Sequence, residues 1–256
     1  LDFRRAMRKV DEEFGNDWWF QVWGPDTLAE EGIGRAKDWE LKKTDSEGVE
    51  SSGEDAWHGF GDMARGFNML DPIKATIITP GLNIDGLFSD EGIPASIVSK
   101  YLTEHGVVVE KTGLYSFFIM FTIGITKGRW NTLLAALQQF KDDYDRNNPL
   151  WRVMPEFCAA QRRYEKMGLK DLCQHVHTMY AKYDVARLST EIYLSDHHPA
   201  MTPSEAFSHI ARRTTQRVPI DELEGRVTTS LVTPYPPGIP LLIPGEVFNA
   251  KIVDYL

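Results

Sequence analysis

The chain has 256 residues, 42% apolar and 25% charged, with a formal net charge of −9. That is the mix of an ordinary globular protein with room for one large core or two smaller ones. The acidic balance argues against binding a nucleic-acid backbone, which needs a basic face, but suits a cationic small molecule. Cys158 and Cys173 do not make a disulfide framework, and no Asn-x-Ser/Thr acceptor occurs. The longest apolar run, 115–125, is about half of a membrane span. The expected setting is therefore cytoplasmic, without membrane or nucleic-acid partners.

Residues 1–14 read as an amphipathic helix already under way, with Phe3, Met7, Val10 and Phe14 on one face. The stretch 247–256 also reads as helix, so the chain is expected to be a piece of a longer protein. Trp18–Trp23 is short, aromatic and strand-like. Residues 24–56, rich in Gly, Asp, Glu and Ser, read as a long loop. Ile73–Thr79, closed by Pro80-Gly81, predicts a strand buried on both faces. A helix is predicted over 93–105, with Gly106 just past its end. Strands at Val107–Val109 and Tyr115–Ile123 follow, then a long helix from 126 or 127 to about 144. This order predicts an α/β layer structure. Asn147-Asn148-Pro149 is a plausible boundary, and beyond it helices are predicted near 150–160, 168–182, 185–194 and 202–213. The last carries the capping-box pattern Thr202-Pro203-Ser204-Glu205. A strand is predicted over Arg226–Thr233, then a rigid extended segment from Pro234 to Pro240.

Few residues carry chemistry on spacing alone. His175 and His177 lie about 200° apart around a helix and do not easily share one ion. The pair His197-His198 has no carboxylate or cysteine at ligand spacing. Gly59-Phe60-Gly61 lacks the third glycine of a dinucleotide fingerprint. Glu110 is more suggestive: at a strand end in an α/β layer, a carboxylate can face a crevice and bind a cation through a charge-assisted hydrogen bond. An exposed rim carboxylate, or one paired with a lysine, is the competing reading. Trp57-His58-Gly59-Phe60 reads either as a loop closing over a site or as a packing plug.

Several segments together resemble the bacterial Orn/Lys/Arg decarboxylases, fold-type-I enzymes of pyridoxal 5'-phosphate with a receiver-like wing domain. They are Trp57-His58-Gly59-Phe60, Leu70-Asp71-Pro72-Ile73-Lys74, Thr79-Pro80-Gly81, Gly92-Ile93-Pro94-Ala95, Val107-Val108-Val109-Glu110-Lys111-Thr112-Gly113, Gly225-Arg226-Val227, Pro234-Tyr235-Pro236-Pro237-Gly238-Ile239-Pro240 and Pro244-Gly245-Glu246. The resemblance runs over nearly the whole chain and is closest to the lysine branch. It implies the last helix of the cofactor-binding domain (1–16), a small α/β subdomain (17–147) and a mostly helical α+β C-terminal domain (148–256).

The family's Schiff-base lysine stands in a Ser-x-His-Lys motif, and no lysine here follows a histidine. The resemblance thus places the cofactor residues upstream. By itself the chain is expected to bind no cofactor and no metal and to be inactive. Pyridoxal phosphate would be the electron sink when CO2 departs in the full-length enzyme. The resemblance assigns this chain substrate selection: Glu110 of Glu-Lys-Thr-Gly receives the distal ammonium, with Thr112, Trp57 and His58 as further substrate-binding candidates. That motif favours an ammonium over a guanidinium but does not separate lysine from ornithine. Two arginines that bind a guanosine alarmone in enterobacterial inducible enzymes match Pro149 and Gly168, so that regulation is expected to be absent. The family's two-fold dimers and larger rings imply self-association. Alternatives are an ornithine or arginine decarboxylase and, in another class, a non-catalytic assembly module.

Overall fold

The structure, a computed structural model, describes residues 1–24, 41, 68–83, 85–235 and 238–256. It divides into two compact units, Leu1–His177 and Thr178–Leu256. Residues 148–177, read from the sequence as the start of the C-terminal domain (148–256), lie within the first unit.

The first unit opens with α1 (Asp2–Phe14), which buries Phe3, Met7 and Val10 and ends where Gly15 takes φ 57°. Arg4 is buried on the same helix. Its Nη1 donates to the Trp23 carbonyl at 2.9 Å and its Nη2 to the Lys74 carbonyl at 2.8 Å. Burial lowers its pKa to about 10, so at neutral pH it remains a charged staple between helix and sheet.

The sheet holds β1 (Gln21–Val22), β2 (Lys74–Ile78), β3 (Lys111–Thr112) and β4 (Ser116–Met120) in the order β1-β2-β4-β3. Every pairing is antiparallel. Ala75, Ile77 and Phe117 point to the core, while Lys74, Thr76, Phe118 and Met120 stand on the opposite face. The expectation that 73–79 is buried on both faces is therefore corrected, because an antiparallel sheet covered on one side alternates. Val107–Val109 is not a strand either. Gly106 (φ 79°) leads into an irregular stretch in which Val108 is exposed, and the ladder begins at the Glu110 N–H, bonded to the Phe118 carbonyl at 2.9 Å.

Helix α2 (Ala95–Glu104) packs on β4 and on α3 (Lys127–Asp145). Between them Tyr101, fully buried, donates its hydroxyl to Asp143 Oδ2 at 2.7 Å, and Asn148 Nδ2 donates to Asp143 Oδ1 at 2.7 Å. The helix predicted over 150–160 is two helices, α4 (Leu150–Val153) and α5 (Pro155–Ala160). Pro155 cannot continue the hydrogen-bond ladder and opens the second one. Pro149 and Gly168 pair as an isolated bridge before α6 (Leu169–Lys182).

His177 closes the first unit. It is buried, and its Nε2 sits 2.8 Å from the Ser89 carbonyl while Nδ1 sits 2.6 Å from the Tyr115 hydroxyl. Both ring nitrogens thus have a hydrogen-bond partner inside the fold. Gly81 (φ 132°) and Gly92 lie against these two side chains, where a Cβ would collide with Tyr115 and His177 respectively.

The second unit contains α7 (Val185–Glu191), α8 (Pro203–Ala211) and α9 (Ala250–Tyr255). Its core gathers Ile192, Leu241, Leu242, Phe248 and Ile252. The capping box at Thr202 and Glu205 forms as predicted. Arg226–Thr233 is not a continuous strand: Val227 bridges Val247 and Val232 bridges Leu242. In between, the Thr228 hydroxyl bonds the Ser230 carbonyl at 2.7 Å and turns the chain. Of the segment Pro234–Pro240, read as rigid and extended, residues 236–237 lie outside the described residues, and the Gly238 N–H bonds the Pro234 carbonyl at 2.8 Å. No helix among the described residues is long and apolar enough to cross a membrane.

Candidate functional site

The outer face of the sheet carries an open cleft of about 660 Å³. Its floor is the period-two array of Lys74 and Thr76 on β2 and Phe118 and Met120 on β4, with Lys111 beside Phe118. Met69, Leu70, Trp23 and Leu41 add apolar walls, and Asp71 and Glu110 bring two carboxylates. Asp71 stands 3.5 Å from Lys74, a half-exposed pair worth little on its own.

Glu110 is held through its backbone. Its N–H closes the end of the β3–β4 ladder, and its exposed carboxylate makes no hydrogen bond or ion pair with any described residue. The same strand end turns Thr112 the other way. Thr112 is buried on the core side, with its hydroxyl 2.8 Å from that of Ser99 on α2. Of the residues singled out from sequence, the cleft thus receives Glu110 and not Thr112: within β3, Thr112 alternates with Lys111, which lines the cleft, while Glu110 sits in a bend just before the strand and does not follow its alternation. Trp57 and His58 lie outside the described residues. Sequence reasoning missed the wall formed by Asp71, Lys74, Thr76, Phe118 and Met120. Its signal was the alternation along the two strands, usable only once their register is known.

Chemically, the cleft offers an unpartnered carboxylate beside thioether and aromatic surface. That combination suits a ligand with a cationic end and an aliphatic body. The described residues do not fit a pyridoxal phosphate anchor. Lys141, the one lysine buried among them, bonds Asp145 at 2.6 Å and lies over the Trp19 ring at 4.4 Å. The two cysteines are buried, and burial raises both thiols, which disfavours the reactive thiolate. His177 is occupied inside the fold. Among the described residues no three His, Cys, Asp or Glu side chains gather as a metal site.

Comparison with known proteins agrees with this architecture. Residues 1–129 match the model of the Orn/Lys/Arg decarboxylase major domain, and residues 186–256 match that of the Orn/Lys/Arg decarboxylase C-terminal domain. The chain belongs to the Orn/Lys/Arg decarboxylase family. It is 45% identical to the lysine decarboxylase LdcA of Pseudomonas aeruginosa over 261 aligned residues, covering 100% of this chain and 33% of that protein. The solved structure of lysine decarboxylase A from Pseudomonas aeruginosa superposes with a TM-score of 0.87 at 45% identity, covering 99% of this chain and 33% of that one. The biodegradative arginine decarboxylase of Escherichia coli is 35% identical over 268 residues, covering 100% of this chain and 35% of that protein. The chain thus spans about a third of the length of these relatives.

Proposed function

We propose that this chain is the substrate-selecting and assembly portion of a cytoplasmic, pyridoxal-phosphate-dependent lysine decarboxylase that yields cadaverine and CO2. The observation that carries the reading is the unpartnered Glu110 carboxylate at a backbone-fixed position on a cleft that also offers aromatic and thioether surface. A lysine side chain is an ammonium at the end of four methylenes. Glu110 would accept its N–H groups while Met120 and Phe118 cover the methylenes. The 45% identity to the lysine decarboxylase LdcA of Pseudomonas aeruginosa supports the same substrate. In the full-length protein the cofactor would be held by residues beyond this chain, and the active unit would be a homo-oligomer.

The test is Glu110→Gln in the full-length protein, assayed on lysine, ornithine and arginine, with the cofactor's absorbance recorded. A hydrogen bond to a charged group contributes about 1.5–3 kcal/mol, so kcat/KM for lysine is expected to fall roughly 10- to 150-fold. The cofactor spectrum should stay unchanged. Unaltered kinetics overturns the role of Glu110, and a wild-type preference for ornithine or arginine overturns the substrate.

A further inference from the structure

The second unit holds a cleft of about 490 Å³ that the decarboxylase reading does not use. Its rim comes from two segments, Thr214–Val218 after α8 and Arg226–Ser230. Met201, Leu223, Val227, Val232 and Phe248 supply apolar surface. Among the described residues no aspartate or glutamate lines it, although the chain as a whole carries a net charge of −9.

Arg226 is the informative residue. Glu222 and Glu224 precede it closely, yet its guanidinium makes no hydrogen bond or ion pair with any described residue. The hydroxyls of Thr215, Thr229 and Ser230 and the Gln216 amide likewise have no partner among the described residues. A guanidinium, three hydroxyls and an amide thus belong to residues that line one cavity, and none of these groups is committed to a described residue.

The backbone that presents them is fixed. The Phe248 N–H bonds the Arg226 carbonyl at 2.9 Å, and the Thr228 N–H bonds the Glu246 carbonyl at 2.9 Å. The buried Thr228 hydroxyl receives the Ser230 N–H at 3.1 Å and donates to the Ser230 carbonyl at 2.7 Å, a local turn that projects Thr229 and Ser230. On the opposite rim, Thr214 Oγ1 lies 2.9 Å from His209 Nδ1 and 3.3 Å from the His209 carbonyl, tying that segment to the end of α8. Donors on rigid turns need little ordering when a ligand arrives.

We propose that this cleft binds an organic phosphate monoester. The planar guanidinium of Arg226 would pair with two phosphate oxygens, and Thr229, Ser230 and Thr215 would donate to the rest. The apolar surface from Leu223, Val227 and Phe248 would cover the organic part. A phosphate has three terminal oxygens to spread over these donors, whereas a carboxylate has two. The cavity lies within the size range of small-molecule sites. This inference does not rest on lysine being the substrate at Glu110.

Phenyl phosphate serves as the probe, titrated calorimetrically into the full-length protein and its Arg226→Gln and Thr229→Val variants. The expected result is saturable binding weakened about tenfold or more by Arg226→Gln, the worth of a charge-assisted hydrogen bond. Thr229→Val should weaken it severalfold, and phenylacetate should bind the wild type more weakly than phenyl phosphate. Melting temperatures identify any variant that has lost its fold, and if Arg226→Gln does so, Thr229→Val decides. Absence of saturable heat up to about 10 mM overturns the proposal. So does binding that survives the substitutions unchanged, because the probe then sits elsewhere, including at the cofactor's own phosphate site.

Discussion

Replacing Tyr101 by Phe removes one oxygen and almost no volume from the first unit, which makes it a clean probe of a buried polar contact. The Tyr101 hydroxyl donates to Asp143 Oδ2 at 2.7 Å, Tyr101 is 0% exposed and Asp143 is 6% exposed. Asn148 still serves the other carboxylate oxygen in the variant, but Oδ2 loses its donor in a place where water does not easily replace it. A hydrogen bond to a charged group contributes about 1.5–3 kcal/mol, and stranding the buried acceptor keeps the cost near the upper end. For a unit of this size that corresponds to a fall of roughly 3–12 °C in melting temperature. Urea unfolding followed by tryptophan fluorescence measures the loss, and Asp143→Asn alone and combined with Tyr101→Phe completes a double-mutant cycle. A loss below about 0.5 kcal/mol, or additive single variants, would refute the assignment of energy to this contact.

Two further outcomes follow from packing and ionisation. Gly92→Ala should destabilise the first unit by about 1–3 kcal/mol, because its Cβ would push into the His177 ring and the Gly81 backbone; a stability within error of wild type would show that the clamp around His177 yields freely. The fold should also weaken in alkali. Burial raises the Tyr144 phenol to about 12, and burial followed by the hydrogen bond to Asp143 raises Tyr101. The folded state thus prefers neutral phenols that the unfolded chain ionises near pH 10, so this stability is intact below about pH 10 and erodes as pH climbs toward 12. Thermal melts from pH 8 to 11.5 should show that decline and a shallower one for Tyr144→Phe; a flat profile contradicts it.

Local signals were the legible ones. The three- and four-residue spacing of Phe3, Met7 and Val10, and the Thr202–Glu205 box, each depend on residues within two turns and appear as read, although Phe14, placed on the same face, is exposed at the helix end. Strands were read less well, because a strand is made by its neighbours. Ile73–Thr79 looked doubly buried until its antiparallel partner left one face open, and Val107–Val109 has the composition of a strand but no ladder. Glu110 stood out in the sequence because its motif is four residues long. The side chains across from it come from β2 and the far end of β4, and no local pattern announces that Lys74 pairs with Met120 or Lys111 with Phe118. Motif membership likewise says nothing about which face of the sheet a residue takes, and Thr112 of the same motif is buried against Ser99.

The attachment of Glu110 through its N–H alone separates two duties that usually compete in one residue. Any amino acid except proline can close that ladder bond to Phe118, so the strand does not depend on the side chain at 110. Under the proposed role of Glu110, recognition can therefore drift at this position, from carboxylate to amide to something smaller, while the sheet beneath keeps its register. A scaffold arranged this way can change what it selects by single substitutions, each tested by selection on chemistry without a penalty in folding.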